Sequence, residues 1–401
     1  MSKKVFVTGL GIISSIGKNV EEVLDSLLNS RTGIGEIKIL NTIHRDIPLG
    51  EVRFTQSELA ILAEISNSKG FTRTSLLGII AANEAVKSAG INVNGDKRTA
   101  LISATTVGGM CSSEDLYLDF VNENYNNNLE YINTHDCGDS TEKIAENLGL
   151  KGFITTISTA CSSSANAIML GSRLIKNNIA DRVIVGGTDA LSKFTLNGFN
   201  TLMILDRELC KPFDENRVGL NIGEAAAFLV IESENSCKSR NAKIYCEIKG
   251  YGNANDAFHQ TASSPDGFGA SMAMQKALVM SGLTSEMIDY VNVHGTGTPN
   301  NDLSEGKALA TVFNNKIPYF SSTKSFTGHT LGAAGAVEAV ISTLAINYNF
   351  IPPNLNFQNS IVELGFKPVT KLMKDIKINN VLSNSFGFGG NNTSLIFSKA
   401  E

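Results

Sequence analysis

The chain alternates between short apolar runs rich in β-forming residues and stretches of helical character, and this alternation limits its fold more than any other feature. The predicted strands are 4–8, 99–104, 153–158, 182–186, 226–231, 244–249, 290–293, 317–321, 380–384 and 394–398. The predicted helices are 74–88, 162–176, 270–281, 302–313 and 333–347. Because helices fill the intervals between apolar strands, the pattern predicts an α/β fold with buried strands.

The two halves of the sequence repeat one succession of features. Each begins with a strand that runs into glycines (VFVTGLG and EIKGYGN), and each later has a strand, a sharp turn and a small-residue helix. This indicates an internal structural duplication, with one half at 1–240 and the other at 241–401, divided at the polar stretch 235–242. The Asn-rich stretch 122–134 is predicted to be a surface excursion. The stretch 206–222 is too polar for the core and too long for a plain turn, which is typical of a functional loop.

Composition and charge exclude several classes of protein. The formal net charge is −5, whereas non-specific nucleic-acid binding needs a basic surface. Glycines interrupt the N-terminal apolar run, and no run approaches the roughly 18 apolar residues of a membrane span. The 6 cysteines form no CxxC pair, so neither a disulfide framework nor a zinc site is predicted. We therefore expect a cytoplasmic protein without a metal or cofactor that binds neither nucleic acid nor membranes.

Cys161 is the first candidate for chemistry. It lies between a predicted strand and a predicted helix, in TTISTACSSSANA, among small residues that permit a tight turn. A cysteine at a helix N-terminus lies near free backbone amides and the positive end of the helix dipole, which lower the thiol pKa. The alternative is a buried and inert cysteine, the commonest state of a free thiol. Position alone leaves both interpretations open, and the other five cysteines are assigned to the inert class.

Two histidines follow strands and are flanked by glycines. His294 lies in DYVNVHGTGTPNND, and His329 lies in SSTKSFTGHTLGAAG five residues after Lys324. A lone histidine is more often structural than catalytic, but neighbouring glycines allow a substrate to approach the backbone closely. The pattern favours a functional pair. His44 and His135 are predicted to be surface residues.

The segment SNSFGFGGNN at 383–392 is the last element of the candidate site. Its three glycines beside a buried strand could direct backbone N–H groups at an oxyanion, although a plain glycine-rich turn is the alternative. Neither GLGIISS nor TTVGG has the spacing of a phosphate-binding loop, which disfavours nucleotide binding. A thiol, two histidines and backbone amides together indicate acyl transfer.

In chain order, these segments resemble those of the β-ketoacyl-[acyl-carrier-protein] synthases of the thiolase superfamily, of the elongating Cys–His–His type. The matching segments are VFVTGLGIISSIG, TACSSSANA, KPFDENR, DAFHQT, VHGTGTPNNDLSE, KSFTGHTLGAAGAVEA and SNSFGFGGNN. The resemblance implies a thiolase-like, five-layered αβαβα fold with two related halves, the first carrying the nucleophile and the second the two histidines. It also implies a homodimer, with a heterodimer as the alternative.

The resemblance assigns the reaction and its residues. Cys161 would accept an acyl chain from the phosphopantetheine thioester of an acyl carrier protein. His294 and His329 would promote decarboxylation of a malonyl thioester and stabilise the enolate, which attacks the acyl group and gives a 3-oxoacyl chain and carbon dioxide. The backbone amides of Cys161 and Phe388 would form the oxyanion hole, and Phe388 would gate the site.

The remaining residues receive supporting roles by the same resemblance. Lys324 would orient the active site together with Glu305. The implied substrate-binding residues are Thr296 and Thr298 at the phosphopantetheine arm, Val107 where the family lines its acyl tunnel, Thr261 and Gly389. An acidic carrier protein would need a local basic patch. The candidates for this patch are Lys69, Arg73, Arg207 and Lys211, with isolated solvated side chains as the alternative.

Departures from the family pattern lie in RVGLNIGEAAAF and TPNNDLSE, where common elongation enzymes carry Asp-Gly-Phe and GEG, and leucine–glycine after the proline. These variants are similar to synthases of aryl-polyene or flexirubin-type pigment pathways rather than to housekeeping fatty-acid enzymes. Two alternatives to a condensing enzyme remain. One is a non-catalytic or chain-length-setting partner in a synthase hetero-oligomer. The other is a thiolase-like enzyme acting on coenzyme A thioesters, which the absence of a cysteine after Cys246 disfavours.

Overall fold

The computed structural model describes residues 3–123 and 129–400. The strands are β1 (Val5–Ser14), β2 (Thr99–Ala104), β3 (Ile154–Ile157), β4 (Arg182–Asp189), β5 (Ala225–Ser233), β6 (Cys246–Asn255), β7 (Tyr290–Asn292), β8 (Tyr319–Ser321), β9 (Phe350–Ile351), β10 (Met373–Lys374), β11 (Asn380–Gly387) and β12 (Asn391–Ser398). The helices are α1 (Val20–Leu28), α2 (Gln56–Leu62), α3 (Arg73–Ala89), α4 (Met110–Val121), α5 (Cys137–Asn147), α6 (Ser163–Lys176), α7 (Lys193–Thr201), α8 (Glu234–Ser239), α9 (Phe268–Ser281), α10 (Pro299–Val312), α11 (Lys324–Thr327) and α12 (Ala334–Tyr348).

Ten of these strands form one mixed sheet. Their order is β3-β2-β4-β5-β1 followed by β6-β12-β11-β7-β8. The two groups of five meet where β1 pairs with β6 through only two residue pairs, Phe6 with Glu247 and Val7 with Cys246. If the five sheet strands of each half are numbered 1 to 5 in chain order, both halves have the order 3-2-4-5-1 from the outer edge to the centre. The shared order supports two related halves. Their division at 1–240 and 241–401 stays a prediction. The stretch 235–242 is mostly the short helix α8 rather than the predicted turn.

Helices cover the sheet on both sides and between the halves. In the centre, α6 and α12 pack against each other and against strands of both halves. On the outside, α3 packs on β1 and β5, and α9 packs on β6 and β12. Separate apolar clusters fill these interfaces, with the largest around the two central helices. The result is the predicted α/β, thiolase-like arrangement of helix, sheet, helix, sheet and helix layers.

Hydrogen-bonded asparagines join the central helix α6 to strands of the second half. The side-chain oxygen of Asn391 accepts hydrogen bonds from Asn166 (2.9 Å), Ser162 (2.8 Å) and Asn253 (2.9 Å). Thr393 donates to the side-chain oxygen of Asn166 at 2.8 Å. Because buried polar groups need partners, this network fixes the register of the nucleophile helix against the second half.

The predicted strands and the five predicted helices are all present, with ends that shift by a few residues. The sequence analysis missed several helices, among them α4, α5 and α7. Of the predicted surface excursion at 122–134, residues 124–128 lie outside the described residues, and a 3-10 helix spans Leu129–His135. The stretch 206–222 is an irregular loop, as predicted, and it contributes Val218 and Leu220 to the site below.

One helical stretch corrects the prediction that no segment could span a membrane. Leu331–Tyr348, which includes α12, is long and apolar enough to do so by length and composition. However, 89% of this stretch is buried inside the protein, as expected for the central helix of a layered core.

Candidate active site

Cys161, His294 and His329 line one cavity of about 380 Å³. The thiol comes from the turn between β3 and α6, and His294 follows β7. His329 follows α11, so two histidines from the second half face a cysteine from the first. The rest of the wall comes from the glycine loop 387–390, the loop 261–263, the start of α10, and apolar residues between 199 and 220. The structure thus brings together the three side chains on which the sequence interpretation depends.

A strained turn presents Cys161 to the cavity. Ala160 has φ 53, a left-handed conformation that a non-glycine residue adopts at a cost of about 1 kcal/mol. Ser163 stabilises the turn because its hydroxyl donates to the Ala160 carbonyl at 2.6 Å and accepts from the Thr159 N–H at 2.8 Å. At Gly387, an added Cβ would lie 2.8 Å from the Thr159 oxygen and 3.2 Å from the Cys161 nitrogen. The glycine loop can therefore approach the nucleophile only because this position has no side chain.

The predicted lowering of the Cys161 pKa is wrong. Burial raises the pKa of the Cys161 thiol to about 12, although Lys324 and a hydrogen bond from the Phe388 N–H act in the opposite direction. The cost of desolvating a thiolate outweighs the effect of the helix N-terminus because the side chain is buried. Burial also raises the pKa of Cys210 and Cys246 to about 12, so location in the cavity, rather than the pKa, distinguishes Cys161.

Glu305 fixes the backbone around His294. Its carboxylate accepts the N–H groups of His294 (2.9 Å) and Gly295 (2.8 Å) and the side-chain amide of Asn384 (3.0 Å). Burial raises the pKa of Glu305 to about 7 despite these donors. One turn earlier on α10, Asp302 accepts the N–H of Thr296 at 3.0 Å. Two acidic residues of one helix therefore shape the loop that carries His294.

Lys324 pairs with Glu338, whereas Glu305, its predicted companion in orienting the site, contacts the backbone of His294 and Gly295. The Lys324 ammonium donates to the Glu338 carboxylate, to the His294 carbonyl at 2.6 Å and to His294 Nδ1 at 3.2 Å. Because the ammonium can only donate, Nδ1 accepts and the proton of the neutral His294 ring lies on Nε2. Burial raises the pKa of Glu338, and Lys324 opposes this shift.

His329 lies beside His294 with its ring nearly perpendicular. The ring centroids are 5.3 Å apart and the interplanar angle is 87°. The backbone N–H of His329 donates to the Asn221 carbonyl at 2.7 Å, and the ring Nδ1 is buried without a hydrogen-bond partner among the described residues. Burial and the Lys324 charge lower the pKa of both histidines well below the ordinary value of 6.5. Both imidazoles are therefore neutral near pH 7.

Phe388 lies in the cavity wall and stacks on a second aromatic ring. The rings of Phe388 and Phe199 are 5.8 Å apart at an interplanar angle of 18°. The next residue, Gly389, has φ 80 and donates its N–H to the Gln260 carbonyl at 2.7 Å. This contact ties the glycine loop to the loop that carries Thr261, and both loops line the cavity.

Four of the five predicted substrate-binding residues line the cavity, and Val107 does not. The four are Thr296, Thr298, Thr261 and Gly389. The hydroxyls of Thr296 and Thr298 are 2.9 Å apart. Val107 packs instead in the apolar cluster that contains Phe199 and Leu220, which are themselves wall residues. Val107 thus lies behind the wall and not on it.

None of the four predicted docking cations lines the cavity. The prediction is wrong for Arg73, whose buried guanidinium is paired with Glu224 at 2.6 Å. Arg207 is paired with Asp46, and Lys211 is paired with Glu208 at 2.8 Å. Lys69 is exposed.

The sequence analysis missed three residues that shape the site. Glu338 is the only charged residue of α12, and a lone acid in an apolar helix is a sign of a buried partner. Asp302 precedes Glu305 by three residues, a spacing that puts both on one helix face. Nothing in the local sequence distinguishes Phe199.

Comparison with known proteins agrees with this geometry. Residues 2–236 match the family described as "Beta-ketoacyl synthase, N-terminal domain", and residues 245–358 match "Beta-ketoacyl synthase, C-terminal domain". The chain is 34% identical over 412 aligned residues to "3-oxoacyl-[acyl-carrier-protein] synthase 2" of Staphylococcus aureus strain N315, covering 100% of this chain and 99% of the relative.

Two solved structures are similar over nearly their whole length. "The ishigamide ketosynthase/chain length factor" has a TM-score of 0.94 at 30% identity and covers 100% of both chains. "Ketosynthase (ApeO) in Complex with its Chain Length Factor (ApeC) from Xenorhabdus doucetiae" has a TM-score of 0.87 at 31% identity, covering 99% of this chain and 98% of the other. By sequence, fold and site geometry, the chain belongs to the β-ketoacyl synthase family.

Proposed function

We propose that this chain condenses an acyl thioester, held on Cys161, with malonyl-[acyl-carrier-protein] to give a 3-oxoacyl-[acyl-carrier-protein] and carbon dioxide. The observation that carries this proposal is the shared cavity of Cys161, His294 and His329. Membership of the β-ketoacyl synthase family, an acyltransferase family, supports the same reaction.

Acyl loading comes first. The Cys161 sulfur attacks the thioester carbonyl, the bond to the carrier sulfur breaks, and the thiol proton leaves with the carrier thiol. The backbone N–H groups of Cys161 and Phe388 stabilise the oxyanion of the tetrahedral intermediate. The contact between the Phe388 N–H and the Cys161 sulfur supports this role, because it puts that amide within reach of the reacting atoms.

Condensation needs two neutral donors at the malonyl carbonyl. Loss of carbon dioxide leaves an enolate, whose oxygen accepts hydrogen bonds from the imidazole N–H groups of His294 and His329. The enolate carbon attacks the acyl carbonyl, the bond to Cys161 breaks, and the released thiolate takes up one proton. The low pKa values of both histidines support this step. Each ring is neutral and can donate a hydrogen bond from its one N–H group to the enolate oxygen.

The carrier arm would enter past hydroxyl groups. Thr296, Thr298 and Thr261 offer hydrogen bonds to the amides of phosphopantetheine, and Gly389 leaves room beside them. The acyl chain would extend from Cys161 toward Phe199 and Leu220, with Val107 behind them limiting its length. A substitution at Val107 would change the length of the acyl chain that fits, because Val107 packs with Phe199 and Leu220.

Replacement of His329 by alanine tests the decarboxylation step. We expect carbon dioxide release from malonyl carrier protein to fall by roughly 10²- to 10³-fold, the usual cost of losing one donor to a developing oxyanion. Acylation of Cys161 should continue, because loading does not use the enolate site. The measurement is release of labelled carbon dioxide beside intact mass spectrometry of the acylated protein.

The matched control is His44→Ala. His44 is a histidine that lies outside the cavity, where its Nε2 forms a hydrogen bond with the Asn197 side-chain oxygen at 2.8 Å. Its replacement should leave carbon dioxide release unchanged. Unaltered release by the His329→Ala protein would contradict the assigned role of His329.

A dimer is supported by the outer edge of the sheet. Strand β3 is the terminal strand of its half and leads directly into the turn of Cys161. Two large apolar side chains at the start of this strand, Phe153 and Ile154, are exposed. An open strand edge beside apolar surface is typical of a pairing interface.

We propose that a second copy of the chain pairs with strand β3. The Ile154→Asp protein should sediment as a monomer, and a wild-type monomer would contradict the proposal.

We also propose a type of pathway, a cellular location and a dimer partner for this chain. The similarity to structures described as ketosynthases with chain length factors supports a polyene- or polyketide-type pathway and allows a heterodimer in place of a homodimer. All 6 cysteines are free, which supports a cytoplasmic location. The alternatives of a non-catalytic partner or of thiolase-like exchange are not favoured, because the nucleophile and both histidines are present in one cavity.

A further inference from the structure

Asp189 is a buried carboxylate to which the proposed reaction gives no role. It is the last residue of β4, is fully buried and does not line the active-site cavity. A buried carboxylate is costly unless donors surround its oxygens. Its donors are the hydroxyls of Thr105 and Thr106 and the backbone N–H groups of Thr106, Val107 and Gly332.

These donors belong to two separate segments of the chain. One is the loop 105–107, which includes Val107 behind the cavity wall. The other is the segment 329–332, which we call the His329 turn. The Thr106 hydroxyl and the Gly332 N–H each donate at 2.7 Å to the same carboxylate oxygen, Oδ2 of Asp189. A single oxygen atom therefore joins the loop to the turn.

The His329 turn has a strained backbone that needs such support. Leu331 has φ 52, a left-handed conformation that is unfavourable for a residue with a side chain. Its side chain is buried in the apolar cluster that also contains Val107. Strained backbone persists only where its surroundings hold it. The Asp189 carboxylate provides a hold at the next residue, because it accepts the N–H of Gly332.

The position of the His329 ring depends on its backbone. No described residue forms a hydrogen bond with its Nδ1, whereas the corresponding atom of His294 contacts the Lys324 ammonium. The backbone of His329 is held at both of its polar groups. Its N–H donates to the Asn221 carbonyl at 2.7 Å, and its carbonyl accepts the N–H of Gly223 at 2.9 Å. A shift of the turn would therefore move the imidazole.

Resting on the proposed function, we propose that Asp189 is a positioning residue whose carboxylate holds the His329 turn against the loop 105–107 and so places the imidazole for enolate formation. Asp189 lines no part of the cavity and acts through the backbone. An interaction that matters only in the transition state affects kcat and not KM. Loss of the carboxylate should therefore slow carbon dioxide release without weakening the binding of malonyl carrier protein.

Asp189→Asn tests this role with little change of shape. An amide has one acceptor oxygen, so its NH₂ group must face the N–H of either Val107 or Gly332, which are both donors. We expect kcat for release of labelled carbon dioxide to fall by roughly 10- to 100-fold, the cost of a misplaced group, with KM changed by less than about twofold. Intact mass spectrometry should still show acylation of Cys161.

Hydrogen exchange tests the hold on the turn without any chemistry. In the Asp189→Asn protein, backbone amides of residues 105–107 and 330–333 should exchange faster than in wild type. Gly332→Ala disturbs the same contact from the other side, because an added Cβ would lie 2.8 Å from Asp189 Oδ2. This second variant should change the exchange and kcat in the same direction.

The matched control is Glu232→Gln. Glu232 is also a fully buried carboxylate, and its oxygens accept hydrogen bonds from Thr8 and Ser236. It lies at the other end of the ladder between β4 and β5, which runs from the pair of Arg182 and Glu232 to that of Asp189 and Ala225. Its replacement should leave kcat and the exchange of the His329 turn unchanged.

The outcomes separate the positioning role from the proposed function. Unaltered kcat in a folded Asp189→Asn protein, an equal loss of kcat in the Glu232→Gln protein, or a loss seen in KM alone would each overturn the positioning role. Absence of carbon dioxide release by the wild-type protein, with faster exchange of the turn in the Asp189→Asn protein, would instead refute the proposed function and support the hold of Asp189 on the turn.

Discussion

The Cys161→Ala protein should gain no acyl mass from any acyl carrier protein, and its condensation rate should fall by at least roughly 10⁴-fold. The cavity contains hydroxyl groups, but Cys161 is the side chain in it on which both the Phe388 N–H and the Lys324 charge act. A serine or threonine hydroxyl there has no comparable assistance and is a far weaker nucleophile. Intact mass spectrometry after incubation with a panel of acyl carrier proteins measures the loss.

Cys246→Ala is the matched control for this loss. Cys246 is also buried, and burial raises its thiol pKa to about 12 as well, but its sulfur contacts Thr343 (3.5 Å) in the core. The Cys246→Ala protein should still be acylated once, at residue 161. Acyl mass on the Cys161→Ala protein at a new residue, with normal condensation, would refute the assignment of the nucleophile.

The strands were predictable because burial on both faces forces continuous apolar runs. Strand β5, AAAFLVIES, and strand β1 are examples, since every residue of β1 is buried and reads as apolar or small. The helices that were missed are those at the surface, where half of the residues are polar and the apolar spacing is weak. Helix α5, CGDSTEKIAEN, buries only one face and has no run that stands out in the sequence.

The site was predictable in its members but not in its contacts. Cys161, His294 and His329 each follow a strand or short helix and stand among small residues, which is a local pattern. The pairing of Lys324 with Glu338 is not local, because it depends on how α12 packs beside α11. The direction of the Cys161 pKa shift failed for a related reason. The sequence shows that Cys161 lies near the start of a helix, but the desolvation of its thiol depends on how the layers pack around it.

Replacing Lys324 should lower both the stability of the protein and its rate of decarboxylation. Its ammonium is buried with the Glu338 carboxylate and holds His294 at two atoms. The Lys324→Met protein leaves a buried carboxyl without its cation, which costs about 3–5 kcal/mol in free energy of unfolding. It also removes the donor that keeps the His294 proton on Nε2, so carbon dioxide release should fall by roughly 10²-fold or more. Denaturant unfolding and labelled carbon dioxide release measure the two effects.

The pH dependence identifies the Glu338 carboxyl as the source of the lost stability. Without Lys324, the pKa of Glu338 in the folded protein rises further above its unfolded value of 4.5, so the folded state keeps a proton that the unfolded state releases. Stability contributed by a raised pKa is present below about pH 4.5 and lost as the pH rises, so the loss relative to wild type should be greater at pH 8 than at pH 5. The surface pair of Lys238 and Glu234, 2.7 Å apart, is the matched control, and Lys238→Met should change stability by less than about 1 kcal/mol. An equal loss at both pH values would show that Lys324 acts through packing alone, and normal carbon dioxide release would remove it from the active site.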